Sequence, residues 1–266
     1  MEVALAEVRR LTAARPPGAA GALGAAGASN AAGAAGLAGA GESGAGTTGT
    51  GAVGTFPVVP ALRELLPRGG LARGSVVAVP DSGLLCLAVV AAASADGAWC
   101  AIAGMPESGL LAGAGLGLDL DRTLLVPDLG TNWPQVVASL LDGCELVLVR
   151  LPSRVSAQVR QRLEATLRRA RGVLVVAGDW PGAQVRLRVT AQGWTGLGDG
   201  FGRLRACCAE VMADGRGEAA LAKTRWLWLP AEDGTVAAAD PADIPLGLPG
   251  EEPGTGYAGL RVVSGG

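Results

Sequence analysis

Apolar and polar positions in the middle of this chain fall into blocks whose period keeps switching. Val76–Val79 is a β-branched run that predicts a strand, and Leu84–Ala95 is an aliphatic run of helical length. The same reading gives a strand over Trp99–Ala103, a weak helix over Gly109–Leu116 and a strand over Leu124–Val126. A helix follows over Trp133–Leu141, with Asn132 placed to cap it, Pro134 suited to its first turn, and Val136, Val137, Leu140 and Leu141 on one face. Leu146–Val149 has no polar alternation and predicts a central strand buried on both sides. Ser156–Ala170 predicts a helix with Val155, Val159, Leu163 and Leu167 on one stripe, and Val173–Ala177 another buried strand. A short helix around Leu62–Leu66 precedes this series. Regular alternation of aliphatic strands with helices predicts an α/β domain with a largely parallel sheet. After Trp180 the period becomes two, in "QVRLRV" and "RWLWLP" around glycine-rich turns, which predicts antiparallel strands added to one side of the sheet.

Composition divides the 266 residues into unequal parts. Residues 1–15 form a short amphipathic helix with Val3, Leu5, Val8 and Leu11 on one side, ended by Pro16 and Pro17. Residues 16–55 are mostly Gly and Ala, and such a segment buries too little apolar surface to offset its ordering entropy, so it reads as a disordered linker. Residues 56–229 form the folded core, and residues 230–266 an acidic tail rich in Pro and Gly.

The net charge of −2 gives no global attraction to nucleic acid. There is no His, which excludes His-based triads, His metal sites and a His general base. Lys223 is the only lysine. The five cysteines, Cys86, Cys100, Cys144, Cys207 and Cys208, contain no C-x-x-C pair, and the first three sit in or beside apolar runs as small core residues. The opening residues carry acids too early for a secretion signal, and the longest apolar run is too short for a bilayer span. A reducing cytoplasm fits these features best.

The stretch "GSVVAVPDSGLLCLAVVA" has the strand, small-residue turn and helix of a phosphate-binding loop. The turn is Pro80, Asp81, Ser82 and Gly83, followed by Leu84 and Leu85. A working loop ends in Gly-Lys-Ser/Thr, with Lys on the outer phosphates and the hydroxyl on Mg²⁺. Here leucines take both positions, and Asp81 adds negative charge where phosphates would lie.

From about Leu62 to Leu229 the order of features resembles the RecA-type recombinase core. The segments that carry the likeness are "LLPRGGLARGSVVAV", "DGAWCAIAG", "LGLDLDRTLLVPDLG" and "ELVLVRLPS". The ending "PGAQVRLRV…WTGLGDGFGRLRA" is similar to one subgroup, the actinobacterial RecA-like mutasome accessory proteins of the ImuA-prime type. The resemblance implies a RecA-like core with a mostly parallel sheet flanked by helices. It also implies a role in the SOS response, in DNA-damage-induced mutagenesis and translesion synthesis, with RecA, an ImuB-type polymerase homologue and an error-prone replicative-type polymerase as partners. Against the family pattern, Arg150 stands where the strand Leu146–Val149 should end in a metal-organising Asp, and Glu107 lies one place off the catalytic Glu position near Pro106. The departures point away from hydrolysis, because the missing cation supplies the largest stabilisation in phosphoryl transfer. The expected function is a non-catalytic adaptor with no catalytic residue, cofactor or metal. The rival readings are a divergent DNA-dependent ATPase or recombinase and a SulA-type cell-division inhibitor.

Other motifs have simpler accounts. Arg154, Arg160, Arg162, Arg168, Arg169 and Arg171 surround one acid, Glu164, and make either a solvated helix face or a surface for an acidic partner or DNA backbone. No aromatic interleaves them, so stacking on single-stranded DNA has no support there. "WTGLGDGFG" reads as a hairpin turn, Trp226 and Trp228 as packing residues on one strand face, and Asp119, Asp121 and Asp128 as turn formers.

Overall fold

The computed structural model describes residues 54–240, apart from 81, 153, 199 and 200. The expected helix 1–15, most of the linker 16–55 and the tail beyond 240 lie outside the described residues.

Two short strands, β1 (Thr55–Pro57) and β2 (Gly70–Ala72), pair antiparallel in a small separate sheet. The main sheet begins with β3 (Ser75–Ala78), which leads into helix α1 (Gly83–Ala95). Then come β4 (Cys100–Ala103), α2 (Leu110–Gly115), β5 (Thr123–Val126), α3 (Trp133–Gly143), β6 (Leu146–Val149), α4 (Ala157–Ala170) and β7 (Val173–Val176). The chain ends in β8 (Val185–Trp194), a hairpin of β9 (Leu197–Gly198) and β10 (Phe201–Gly202), then β11 (Cys207–Gly215), β12 (Lys223–Trp228) and β13 (Ala237–Ala238). The order across the nine-stranded sheet is β13-β12-β11-β8-β3-β7-β6-β4-β5. From β8 to β5 all pairings are parallel, and from β8 to β13 all are antiparallel. This is the expected α/β layout, with antiparallel strands added on the C-terminal side.

Strands β3, β4, β6 and β7 are buried at every position, which explains their unbroken aliphatic sequences. Alternate residues feed two cores. Val77, Ile102, Leu148 and Val175 face α1 and the segment from Phe56 to Leu71. Ala78, Ala101, Val149 and Leu174 face α3 and α4, where Val137, Leu140, Leu163 and Leu167 meet them. Helix α1 has no polar face, because Leu85 to Ala91 are all buried between the sheet and the segment 56–71. That segment is clasped to the antiparallel strands from outside: Arg225 Nε donates to Glu64 Oε2 at 2.8 Å, and Arg68 pairs with Glu218 at 2.8 Å.

Several expectations change. The helix expected at Leu62–Leu66 is a 3-10 turn at Pro60–Leu62 followed by single turns, because Pro60 and Pro67 leave too little chain between them for a stable α-helix. Asn132 precedes α3 but its side chain caps nothing; its backbone is not extended (φ −91°, ψ 27°), and its carbonyl accepts from Gln135 and Val136 instead. Trp226 and Trp228 share a face, but it is the one opposite buried Leu227, and both are half-exposed. Residues 230–240, assigned to the tail by composition, run through a turn into β13, which pairs with Leu227 and Trp228 of β12.

All five cysteines are buried. Burial pushes the thiols of Cys86, Cys100 and Cys207 from 9.0 up to about 12. The unfolded chain therefore sheds these protons first as pH rises, so stability falls between about pH 9 and 12. Denaturant titrations across that range should show the decline. At neutral pH a thiol reagent should label these cysteines only as fast as the protein unfolds.

Candidate functional site

The turn between β3 and α1 is the first candidate. A phosphate cradle needs free backbone N–H groups at the start of the helix and a cation beside them. Here Ser82 occupies the cap position in extended conformation (φ −141°, ψ 99°), and its Oγ accepts from Leu85 N at 3.2 Å. Its carbonyl accepts from Cys86 N at 3.1 Å. The helix thus satisfies part of its own N-terminus. Leu85 is fully buried and Leu84 packs against the same core, so the two residues at the Lys and Ser/Thr positions hold the helix to the sheet. Pro80 is buried, and Asp81 lies outside the described residues. At Gly83 a Cβ would meet nothing within 4 Å, so neither the backbone nor a neighbour requires glycine there. In a phosphate loop glycine is needed for close backbone approach to the anion.

The second candidate is a crevice at the carboxyl ends of the strands. Strand β4 is followed by α2 on one face of the sheet, while its neighbour β6 is followed by α4 on the other. Adjacent strands whose connections leave to opposite faces open a crevice between them. A cleft of about 620 Å³ lies there, lined by Gly104, Pro127, Asp128, Leu129, Trp133 and Arg150 among others. Gly104 has φ +67°, and a Cβ on it would collide with the carbonyl oxygen of Arg150, so the two strand ends meet backbone to backbone. The Arg150 guanidinium forms an ion pair with Glu107, both groups about half-exposed. The residue at this strand end is thus a cation, and Glu107 neutralises it. Asp128 Oδ1 accepts from Gly130 N at 2.8 Å and closes its turn, and Asp119 Oδ1 accepts from Asp121 N at 3.0 Å in the same manner. Among the described residues no three His, Cys, Asp or Glu side chains gather as a metal site.

The third candidate is α4. Ser156 Oγ caps it by accepting from Val159 N at 3.3 Å, and Leu163 and Leu167 fix its inner face. Glu164 Oε1 accepts from the indole N–H of Trp180 at 3.1 Å, and Arg168 stands 3.9 Å from its other oxygen. Arg169 pairs with Asp142 of α3 at 3.0 Å. Arg154, Arg160, Arg162 and Arg171 have no ion pair among the described residues. Arg171 ends the helix in left-handed conformation (φ 56°), where glycine is the usual residue. Arg73, stacked 3.8 Å from the Phe56 ring centroid, has its pKa lowered by burial and by the nearby charge of Arg171. The glycine-rich stretch after Trp194 forms the β9–β10 hairpin, away from any helix start.

Sequence reasoning missed the Arg150–Glu107 pair and the Glu164–Trp180 bond, because each joins side chains whose proximity comes from tertiary packing. No helix among the described residues is long and apolar enough to cross a membrane.

Residues 64–182 match the family model of the MT3502 N-terminal domain. The uncharacterized protein Rv3395c of Mycobacterium tuberculosis is 37% identical over 135 residues, which cover 49% of this chain and 66% of that protein, just under two thirds of its length. Among solved structures, the KaiC-like protein PH0186 of Pyrococcus horikoshii aligns at a TM-score of 0.46 and 13% identity, over 70% of this chain and 97% of that one.

Two substitutions test the reading of the turn. Gly83→Ala should leave stability unchanged or raise it by up to about 1 kcal/mol, since the new methyl meets open space and the unfolded chain loses freedom. Ser82→Ala should lower stability by about 1 kcal/mol through loss of the cap. Chemical denaturation of both variants measures each effect.

Proposed function

We propose that this chain is a non-catalytic, RecA-like adaptor of DNA-damage-induced mutagenesis, joining RecA to an ImuB-type polymerase homologue during translesion synthesis. The observation that carries the reading is the β3–α1 turn. Leu84 and Leu85 bind the helix to the core, and Ser82 takes up a donor that a nucleotide phosphate would need. The strand and helix of a phosphate loop persist while its ligand-binding half has become packing and capping. The Arg150–Glu107 pair supports the same reading, because it puts a neutralised cation at the metal-organising strand end. Without a cation at the turn, the developing charge of phosphoryl transfer has no partner there. A RecA-like core freed of this chemistry keeps its outer surfaces for contact. The match to a mycobacterial relative agrees with the subgroup that the sequence resembles. RecA, the polymerase homologue and the cytoplasm as the place of action belong to this proposal.

Two measurements test it. Purified full-length protein, with and without single-stranded DNA, should turn over no ATP above a no-protein control, and Ser82→Ala and Glu107→Gln should change nothing. ATP turnover abolished by either substitution would establish the enzymatic alternative. Affinity purification from damaged cells should recover RecA and the polymerase homologue with the full chain. Their absence from that fraction would sink the adaptor reading. Parallel purifications lacking residues 1–53 or 241–266, which spare β1 and β13, assign the contact to a terminus or to the core.

A further inference from the structure

Helix α4 and its flanks carry six arginines and one glutamate on a chain whose net charge is −2. Part of this has a local cause. Arg168, Arg169 and Arg171 lie at the C-terminal end of the helix, where cations are favoured by the macrodipole. That cause fails for the others. Arg154 precedes the cap residue Ser156, Arg160 sits in the first turns and Arg162 follows it, so the helix dipole gives no reason for positive charge at these places. The one acid of the segment is also committed elsewhere, because Glu164 turns inward to the Trp180 indole and leaves only a long contact to Arg168. Arg160, Glu164 and Arg168 follow one ridge at spacings of four, while Arg162 and Arg169, seven apart, lie on the other exposed side of the helix. Arg171 adds a charge in a backbone conformation costly for a side chain, and it crowds Arg73. The result is a helix face on which cations outnumber their carboxylate partners.

We infer that this face of α4 is a docking surface for an acidic segment of a partner protein, with the guanidinium groups of Arg160, Arg168 and Arg171 taking its carboxylates. Guanidinium binds carboxylate through paired N–H donors, which gives such a contact orientation as well as charge. Phosphodiester is the other polyanion with matching chemistry, and three observations disfavour it. No aromatic residue stands among the arginines to stack a base. The charges elsewhere on the chain sum to a net negative value, so a nucleic acid longer than the helix would run onto repulsive surface. Asp142 beside Arg169 and Glu145 near Arg73 border the face with carboxylates, which a short acidic peptide can avoid more easily than a continuous backbone. The inference rests on the adaptor reading for its biological sense and on the surface alone for its geometry.

The test uses the full chain and a synthetic Glu-rich peptide followed by fluorescence anisotropy. The peptide should bind, and its affinity should fall as salt rises from about 50 to 300 mM. The combined variant Arg160→Glu and Arg168→Glu should weaken binding about tenfold or more, and the Gln counterpart by less. Arg63→Glu, on a distant exposed arginine, should leave it unchanged. Circular dichroism checks that the helix survives, and the Gln variant serves if the Glu variant does not fold. No peptide binding, or binding indifferent to these arginines, overturns the inference. Single- or double-stranded oligonucleotides that bind the same arginines more tightly than the peptide also overturn it, in favour of nucleic acid. Because these are purified components, peptide binding together with failed recovery of RecA would sink the adaptor reading and leave this surface standing.

Discussion

Helix α1 has no side that tolerates water, and most of the molecule is arranged to answer that fact. Leu85, Cys86, Leu87, Val89 and Val90 are buried around its whole circumference, so the sheet can cover only one flank. The remaining flanks are closed by residues Phe56 to Leu71, whose 3-10 turn places Leu62, Leu65 and Leu66 against the helix. Burying each such side chain stabilises the fold by roughly 1.5–3 kcal/mol, so the cover is an energetic necessity. The same constraint reaches the candidate site. Exchanging Leu85 for the Ser/Thr of a phosphate loop would place a hydroxyl in a packed interior, and exchanging the partly buried Leu84 for Lys would remove an apolar contact with that core. What looks like the loss of a catalytic motif is, at the level of packing, the completion of a core.

The parts of this architecture that were legible beforehand are those written in local pattern. The aliphatic runs of β3, β6 and β7 announce strands buried on both faces, and the Leu163–Leu167 stripe with Ser156 ahead of it announces α4. The parts that were not legible depend on partners distant in sequence. β13 consists of two alanines, and nothing in Ala237–Ala238 signals a strand until β12 supplies the pairing. Trp226 and Trp228 alternate correctly, but the alternation does not say which face is covered. Asn132 has the right identity for a cap, yet the turn that leads into α3 brings its carbonyl round instead of its side chain. For the candidate site, residue types alone disclosed the missing cation at the turn. The pairing of Arg150 with Glu107 needed the crossing of two strand ends.

Charge follows a similar division of labour. Carboxylates in the loops are consumed locally, with Asp119, Asp128 and Asp233 each accepting from a backbone N–H two residues on. They shape turns and offer little to a ligand. The arginines behave differently, because many are left without a carboxylate by the fold itself. In a chain with a single lysine, this choice of guanidinium favours directional contacts over diffuse attraction.

The clasp between Glu64 and Arg225 joins residues 161 positions apart, and Lys223 adds a bond to the Glu64 carbonyl at 3.0 Å. It closes the described chain into a hoop: the turns around Glu64 rest on β12, with β3 to β8 lying between them in sequence. A structure closed this way has high contact order, since its outermost pieces find their places only after the sheet exists. Either end of the described region therefore depends on the other for its position.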